Sequence, residues 1–361
     1  MSSLAQRLIK AAPKSMATMI SKTDIGVKSK IASFVIPLMN LMYSGSFQGG
    51  LCAGIVQLVG DSRTFKTNKA VTAAKAYLDT NANPDNPPIL VIFDSEFSIR
   101  PVIEAFGISE DQVVYVPFEN LEELKTNLVQ MISEVKRGEK VFFLIDSISQ
   151  VASLKEVADA LKGESKADMT RAKEMNSMFR MITPMLAVRD LPLFAINSFY
   201  DEIGNDYAEP VIKGGKQNFL SSDIIWFVSR SQDKDDTSKE LKGWFFNYRA
   251  LKHRFVKEKS LFKLHVTYDG GIDWSSGLIE LGIESGIIKS SGGWFKLDHP
   301  NTPEELKKSF QRRQVVAKGD TGFLEFLLSL PEFEAFCQNK YRLADEDREI
   351  ISQELTEESK Q

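Results

Sequence analysis

Histidine and cysteine are scarce in this chain, with three and two residues among 361. The cysteines, Cys52 and Cys337, lie far apart and give neither a disulfide framework nor metal-ligand spacing. His253, His265 and His299 are isolated, so no zinc motif is present. No apolar run approaches the roughly 18 residues that a membrane helix requires. The opening segment MSSLAQRLIKAAPKSMATMI lacks the hydrophobic stretch of a secretory signal, and a cytoplasmic protein is expected. Charge of one sign is not in excess either. Against 49 acidic residues stand 45 basic ones, giving a net charge of -4 and a pI of about 5.7. That balance argues against indiscriminate coating with nucleic acid, which needs a broadly basic surface.

Apolar material is plentiful: 43% of residues are hydrophobic, enough for a sizeable core. Charge is also segregated along the chain. From Lys162 to Arg189 six cations (Lys162, Lys166, Arg171, Lys173, Arg180, Arg189) face three acids. From Arg249 to Lys263 six cations face only Glu258. Such patches are local footprints for phosphate-bearing partners, or ordinary solvated faces. After Leu343 the chain turns acidic (Asp345, Glu346, Asp347, Glu349, Glu354, Glu357, Glu358) and aromatic-poor. That tail reads either as a solvated terminus or as a segment competing with nucleic acid for basic surface.

Three regions are expected: a short element over 1–35, a large α/β unit over 36–285, and a smaller α/β appendage with its acidic tail over 286–361. In the middle region short apolar runs alternate with helical patterns, as in a mostly parallel sheet with crossover helices. The runs are GIVQLVG (54–60), ILVIFD (89–94), KVFFLID (140–146), LPLFAIN (191–197) and DIIWFVS (223–229). Near-continuous apolarity suits strands covered on both faces. Helices are expected over Leu121–Arg137 and Asp168–Val188, and surface loops over 81–88 and 232–241.

GDSRTFKTN follows the first of these runs and precedes a helical stretch, the setting of a phosphate-binding loop. Backbone amides of Gly60, Asp61, Ser62, Arg63, Thr64 and Phe65 would converge on phosphate oxygens at a helix N-terminus. Lys66 would reach the β- and γ-phosphates, the Thr67 hydroxyl would ligate Mg²⁺, and Asn68 would follow on the helix. Phe65 stands where the usual pattern has glycine. Asp146 ends a strand about eighty residues later and can hold Mg²⁺ through water, although many buried strands end in aspartate for turn reasons alone. Glu96, in IFDSEF, lies just past another strand and can orient the attacking water, or is a plain loop acid. Together these motifs predict binding of ATP with Mg²⁺.

GGLCAGIVQLVGDSRTFKTN, VIFDSEF, VFFLIDS, DMTRAKEMNSMFR, FAIN, KGG and YDGGIDWSSGLIELGIESGIIKSSGGWF occur in the order found in RecA-type recombinases. The Phe65–Lys66 pair, DSEF and DMTRAK resemble the T-even-like phage (UvsX-type) branch more than bacterial RecA. The resemblance covers roughly residues 30–300; it implies that the 1–35 element serves polymerisation, and Ile31–Val35 is a reasonable strand to add to a neighbour's sheet. It implies a RecA-like P-loop ATPase core, helical self-association on single-stranded DNA, pairing with duplex DNA, strand exchange and DNA-stimulated hydrolysis. It also implies a single-strand-binding protein and a loading mediator as partners, with no membrane.

By the same resemblance Lys252 and Arg254, in ALKHRFVKEKS, carry charge to the γ-phosphate across a subunit interface; an ordinary basic surface or direct DNA contact is the plain alternative. Two loops should face the DNA. The first runs over Ser153–Met169, ending at Met169 and leading to Arg171, Lys173 and Arg180. The second runs from Phe199 and Tyr200 to Lys213, Gly214 and Gly215. The aromatics could stack on bases or simply pack on the body. Ser198 replaces the family's usual sensor glutamine after the FAIN strand. Arg100 and Ile103 stand where bacterial relatives place an acid and an aromatic around adenine. Alternatives from other classes are a RecA-core helicase motor, a small-molecule P-loop kinase and a nucleotide-gated DNA-binding scaffold without useful turnover.

Overall fold

The apolar runs become the middle of a nine-stranded sheet. A computed structural model describes residues 3–12, 17–25, 27, 29–163, 170–200, 210–235, 238–316 and 321–343. In chain order the sheet strands are β1 (Gly54–Gly60), β2 (Ile89–Asp94), β3 (Val113–Pro117), β4 (Val141–Asp146) and β5 (Pro192–Asn197). They continue with β6 (Ile224–Lys234), β7 (Leu241–Lys252), β8 (Leu261–Thr267) and β9 (Gly271–Ile272). Their spatial order is β9-β8-β7-β6-β1-β5-β4-β2-β3. From β6 across to β3 the strands run parallel, and β7, β8 and β9 add an antiparallel flank.

The β1 run is apolar without alternation because both faces are covered. Val56 and Leu58 join the core under α1 (Lys66–Thr80), with Val71, Ala74 and Tyr77. Ile55 points the other way, into a cluster with Leu124 and Leu128 of α2 (Leu121–Glu134). Two further helices precede β5. The first is α3 (Leu154–Leu161), capped where the Ser153 hydroxyl accepts from the Glu156 amide at 3.1 Å. The second is α4 (Thr170–Arg189), whose Phe179 and Ile182 enter the Ile55 cluster. A short helix, α5 (Lys216–Ser221), leads into β6.

The expected strands and both helices appear where the patterns put them. The β6–β7 hairpin extends farther than expected, so the loop anticipated over 232–241 shrinks to the link between Lys234 and Leu241. β3 was not among the expected strands, although VVYVP is itself a short apolar run; it is the partly exposed edge strand of the sheet. Lys30–Ala32, near the segment anticipated as an addition to a neighbour's sheet, pairs antiparallel with Leu51–Cys52 of its own chain. Past β9 lies a three-stranded antiparallel sheet (Ile288–Ser291, Trp294–Leu297, Phe310–Gln311) with helices Leu278–Glu284, Phe323–Ser329 and Pro331–Tyr341. Phe323 and Phe333 belong to the same apolar core as Leu38 and Phe262. Met169 and the acidic tail lie outside the described residues. Because β1, β2, β4 and β5 are parallel, their C-terminal ends meet on one edge, where open α/β sheets hold ligands.

Candidate nucleotide site and DNA-facing loops

Each of those four strand ends delivers a polar side chain to one cleft of about 220 Å³. Gly60 ends β1 against β6: a Cβ there would sit 2.3 Å from the Val228 carbonyl oxygen, so only glycine fits. Arg63 and Phe65 both adopt left-handed backbone, with φ of 61° and 64°. For a residue with a Cβ this conformation costs roughly 1–2 kcal/mol. Phe65 offsets it by stacking on Phe246 of β7, with ring centroids 4.9 Å apart and planes at 22°. The glycine of the usual pattern is thus replaced by an aromatic anchored on the antiparallel flank.

The Lys66 amine donates to the Gly60 carbonyl at 2.9 Å, to the Asp61 carbonyl, and to the Thr64 hydroxyl at 3.2 Å. Burial lowers its pKa, and the nearby charges of Asp146, Asp61 and Glu96 work the other way. The Thr67 hydroxyl donates to Asp146 Oδ2 at 2.8 Å. Burial raises the Asp146 carboxyl to about 7; the Thr67 bond and Lys66 oppose this, while Glu96 and Asp94 add to it. A hydroxyl beside a buried carboxylate is the oxygen donor pair that Mg²⁺ takes alongside substrate phosphates. Among the described residues no cluster of three or more His, Cys, Asp or Glu is arranged to hold a metal alone.

Glu96 is set by a turn in which Asp94 Oδ1 accepts from the amides of Glu96 and Phe97, each at 2.9 Å. Its Oε1 accepts from the Ser147 hydroxyl at 3.1 Å, which tethers it beside Asp146. Ser198 lines the same cleft, and its hydroxyl oxygen is buried without a partner there. Ser147, Ser149, Gln150 and Asn197 also line the cleft and were not picked out from sequence. The serine after a strand-end aspartate was the available signal for Ser147.

No family model matches the chain. Over 363 residues it is 33% identical to the "Recombination and repair protein" of Enterobacteria phage T4, covering 99% of this chain and 90% of that protein. It is also 25% identical to "Protein RecA" of Paenarthrobacter aurescens over 269 residues, 72% of this chain and 73% of the relative. "Protein RecA" of Arthrobacter sp. strain FB24 gives 25% over 264 residues, with 72% of each covered. The chain belongs to the RecA family, in the branch of the T4 protein.

The other residues expected from the RecA family fall in three places. Arg100 is not in the cleft; it pairs with Glu110 at 2.8 Å, both exposed, in a separate hollow of about 400 Å³ shared with Ile103 and Tyr115. Lys252 and Arg254 are likewise remote. The Lys252 amine donates to the carbonyls of Phe219 and Leu220, at 3.0 and 2.9 Å, and burial lowers its pKa. Arg254 pairs with Asp223, which accepts from the Ile55 amide at the start of β1. From there to Gly60 is about 16 Å along the strand. Within one chain these cations and the phosphate loop occupy opposite ends of the sheet.

Among the residues expected to meet DNA, Arg171 is engaged: Nε donates to the Val151 carbonyl at 2.9 Å, and Nη2 to those of Ile148 and Ser149 at 3.0 Å each. Lys173 and Arg180 are exposed and seven residues apart on α4, hence on one face. Phe199 packs edge-on against Phe227 at 5.0 Å, whereas Tyr200 is 55% exposed with the Lys213 amine 5.0 Å from its ring centre. Phe199–Tyr200 and Val211–Ile212 form a short ribbon at the base of the second loop. Gly214, at φ 108°, lies so near α4 that a Cβ would meet Met175 Cε at 2.2 Å. Its neighbour Gly215 passes the Asn176 amide. The glycine pair therefore fits the loop to α4, and the hollow beside it, about 600 Å³, is shared by Arg171, Tyr200 and Lys216.

Proposed function

We propose that this chain polymerises on single-stranded DNA as an ATP-dependent recombinase, pairs it with homologous duplex and exchanges strands. One observation carries this reading: Lys66, Thr67, Asp146 and Glu96 share a cleft, while Lys252 and Arg254 lie at the far end of the same sheet. A head-to-tail neighbour can bring those cations to the phosphates, so hydrolysis depends on assembly. Lys66 would neutralise the β- and γ-phosphates, and Glu96, fixed by Ser147, would orient water toward the γ-phosphate. Mg²⁺, held through Thr67 and Asp146, would supply charge stabilisation on the phosphate oxygens. Lys173, Arg180, Tyr200 and Lys213 would contact DNA, with Arg171 shaping the loop they flank. A single-strand-binding protein and a loading mediator are the expected accessory partners. No helix among the described residues is long and apolar enough to cross a membrane.

The test is ATP hydrolysis with Mg²⁺, with and without single-stranded DNA, followed by electron microscopy of the same samples. Strong stimulation with helical filaments is expected. Turnover indifferent to DNA, with rings or monomers on the grid, would move the assignment to a motor or kinase.

A further inference from the structure

Gln57 is an anomaly: a fully buried amide in the middle of an otherwise apolar β1. Its surroundings explain how it is tolerated. Asn197 Nδ2 donates to Gln57 Oε1 at 3.1 Å and to the Lys213 carbonyl at 2.9 Å. Asn218 Nδ2 donates to that same carbonyl at 2.9 Å. Gln57 Nε2 closes the circuit by donating to Asn218 Oδ1 and, with its second hydrogen, to the Ser222 hydroxyl at 2.6 Å. Asn197 Oδ1 accepts from the Ser198 amide at 2.9 Å. Gln57, Asn197 and Asn218 are each 0% exposed, so water cannot stand in for a lost partner.

The ring joins two places. Asn197 and Ser198 line the nucleotide cleft, and Lys213 opens the glycine turn that closes the second loop on α4. A closed circuit of amides has one good arrangement, because shifting any member strands a buried donor or acceptor. Movement at the β5 end is therefore felt at the Lys213 carbonyl and not absorbed between. Gln57 touches neither the cleft nor the loop, yet its side chain bonds to both Asn197 and Asn218, as the Lys213 carbonyl does on the loop side.

We propose that Gln57 is a positioning residue that couples the nucleotide cleft to the loop beginning at Phe199 and ending at Gly215. The inference rests on that loop meeting DNA, as in the reading above. It is tested with Gln57→Met, which keeps length and volume but removes the amide. Three quantities are read in wild type and variant: melting temperature, DNA-free ATP hydrolysis, and single-stranded DNA affinity with a non-hydrolysable ATP analogue against ADP. Gln57→Met should keep DNA-free turnover within about twofold while the ATP-to-ADP affinity ratio drops about tenfold. An unchanged ratio overturns the proposal. So does a parallel fall of DNA-free turnover and affinity, which marks a purely structural amide. If Gln57→Met does not fold, Ser222→Ala removes one bond of the hub and should lower the ratio by a smaller factor; an unchanged ratio there overturns the proposal as well. A wild type whose DNA affinity ignores nucleotide would instead sink the recombinase reading itself.

Discussion

The Thr67 hydroxyl donates to Asp146 across 2.8 Å, joining the first turn of the phosphate-loop helix to the strand two places away in the sheet. The bond holds a carboxyl that burial has made a poor acid, at about 7 against 3.8 in an unfolded chain. The folded protein therefore keeps a proton that the unfolded chain gives up. The stability this contributes is complete below 3.8 and is lost as pH rises through about 7.

Asp146→Asn should thus raise the melting temperature of nucleotide-free protein more near pH 8 than near pH 5. It should also remove Mg²⁺-dependent hydrolysis. Thermal scans across that range check the first point, and an equal gain at both ends would contradict the buried-proton account.

Replacing Phe65 separates strain from stacking. Phe65→Ala loses the contact with Phe246 and keeps the left-handed backbone; Phe65→Gly loses the contact and relaxes the backbone. The glycine variant should be the more stable of the two by about 1 kcal/mol in denaturant titrations. An alanine variant of equal or greater stability would show that the loop is not strained there.

Glu96→Gln and Lys252→Ala should each abolish most DNA-stimulated hydrolysis alone. Mixed in equal amounts they should recover turnover, because roughly a quarter of head-to-tail joints then combine an intact Glu96 with an intact Lys252. Steady-state assays at fixed total protein read this directly. No recovery, with filaments present by microscopy, would place Lys252 outside the hydrolytic site.

Arg171 and the pair Lys173 and Arg180 should behave differently although all three are cations on one helix. Arg171→Ala should cost about 2 kcal/mol of stability, because it strands three backbone carbonyls. Lys173→Ala with Arg180→Ala should leave stability alone and reduce the slope of log affinity against log salt by about 1.4 on single-stranded DNA. Salt titrations of the variants decide it, and an unchanged slope in the double variant would move those two residues off the DNA.

Much of this was readable in the chain. Doubly covered strands advertise themselves as apolar runs, so the parallel half of the sheet and the residues at its ends, Lys66, Glu96 and Asp146, could be found from pattern and order. The edge strand β3 carries the same signal in VVYVP, a short β-branched run, although part of it is exposed. Two kinds of feature could not be found this way. Phe65 looks like a defect in a motif until Phe246, far along the chain, is seen beneath it. The amides of Gln57, Asn197 and Asn218 meet only in space. Arg171 was legible as a cation but not as one spent on three carbonyls, since hydrogen-bond partners among backbone atoms leave no trace in residue types.

The separation of Lys252 and Arg254 from the phosphate loop has a consequence for chain ends. If each hydrolytic centre is assembled from the leading edge of one subunit and the trailing edge of the next, a filament has one fewer centre than it has subunits. The terminal phosphate loop at one end would then hold nucleotide it cannot readily cleave. That end would be a cap: it would age slowly and the interior quickly, and growth and loss would be set by which terminus faces free subunits. Polarity of disassembly would be written into where two cations sit on a sheet.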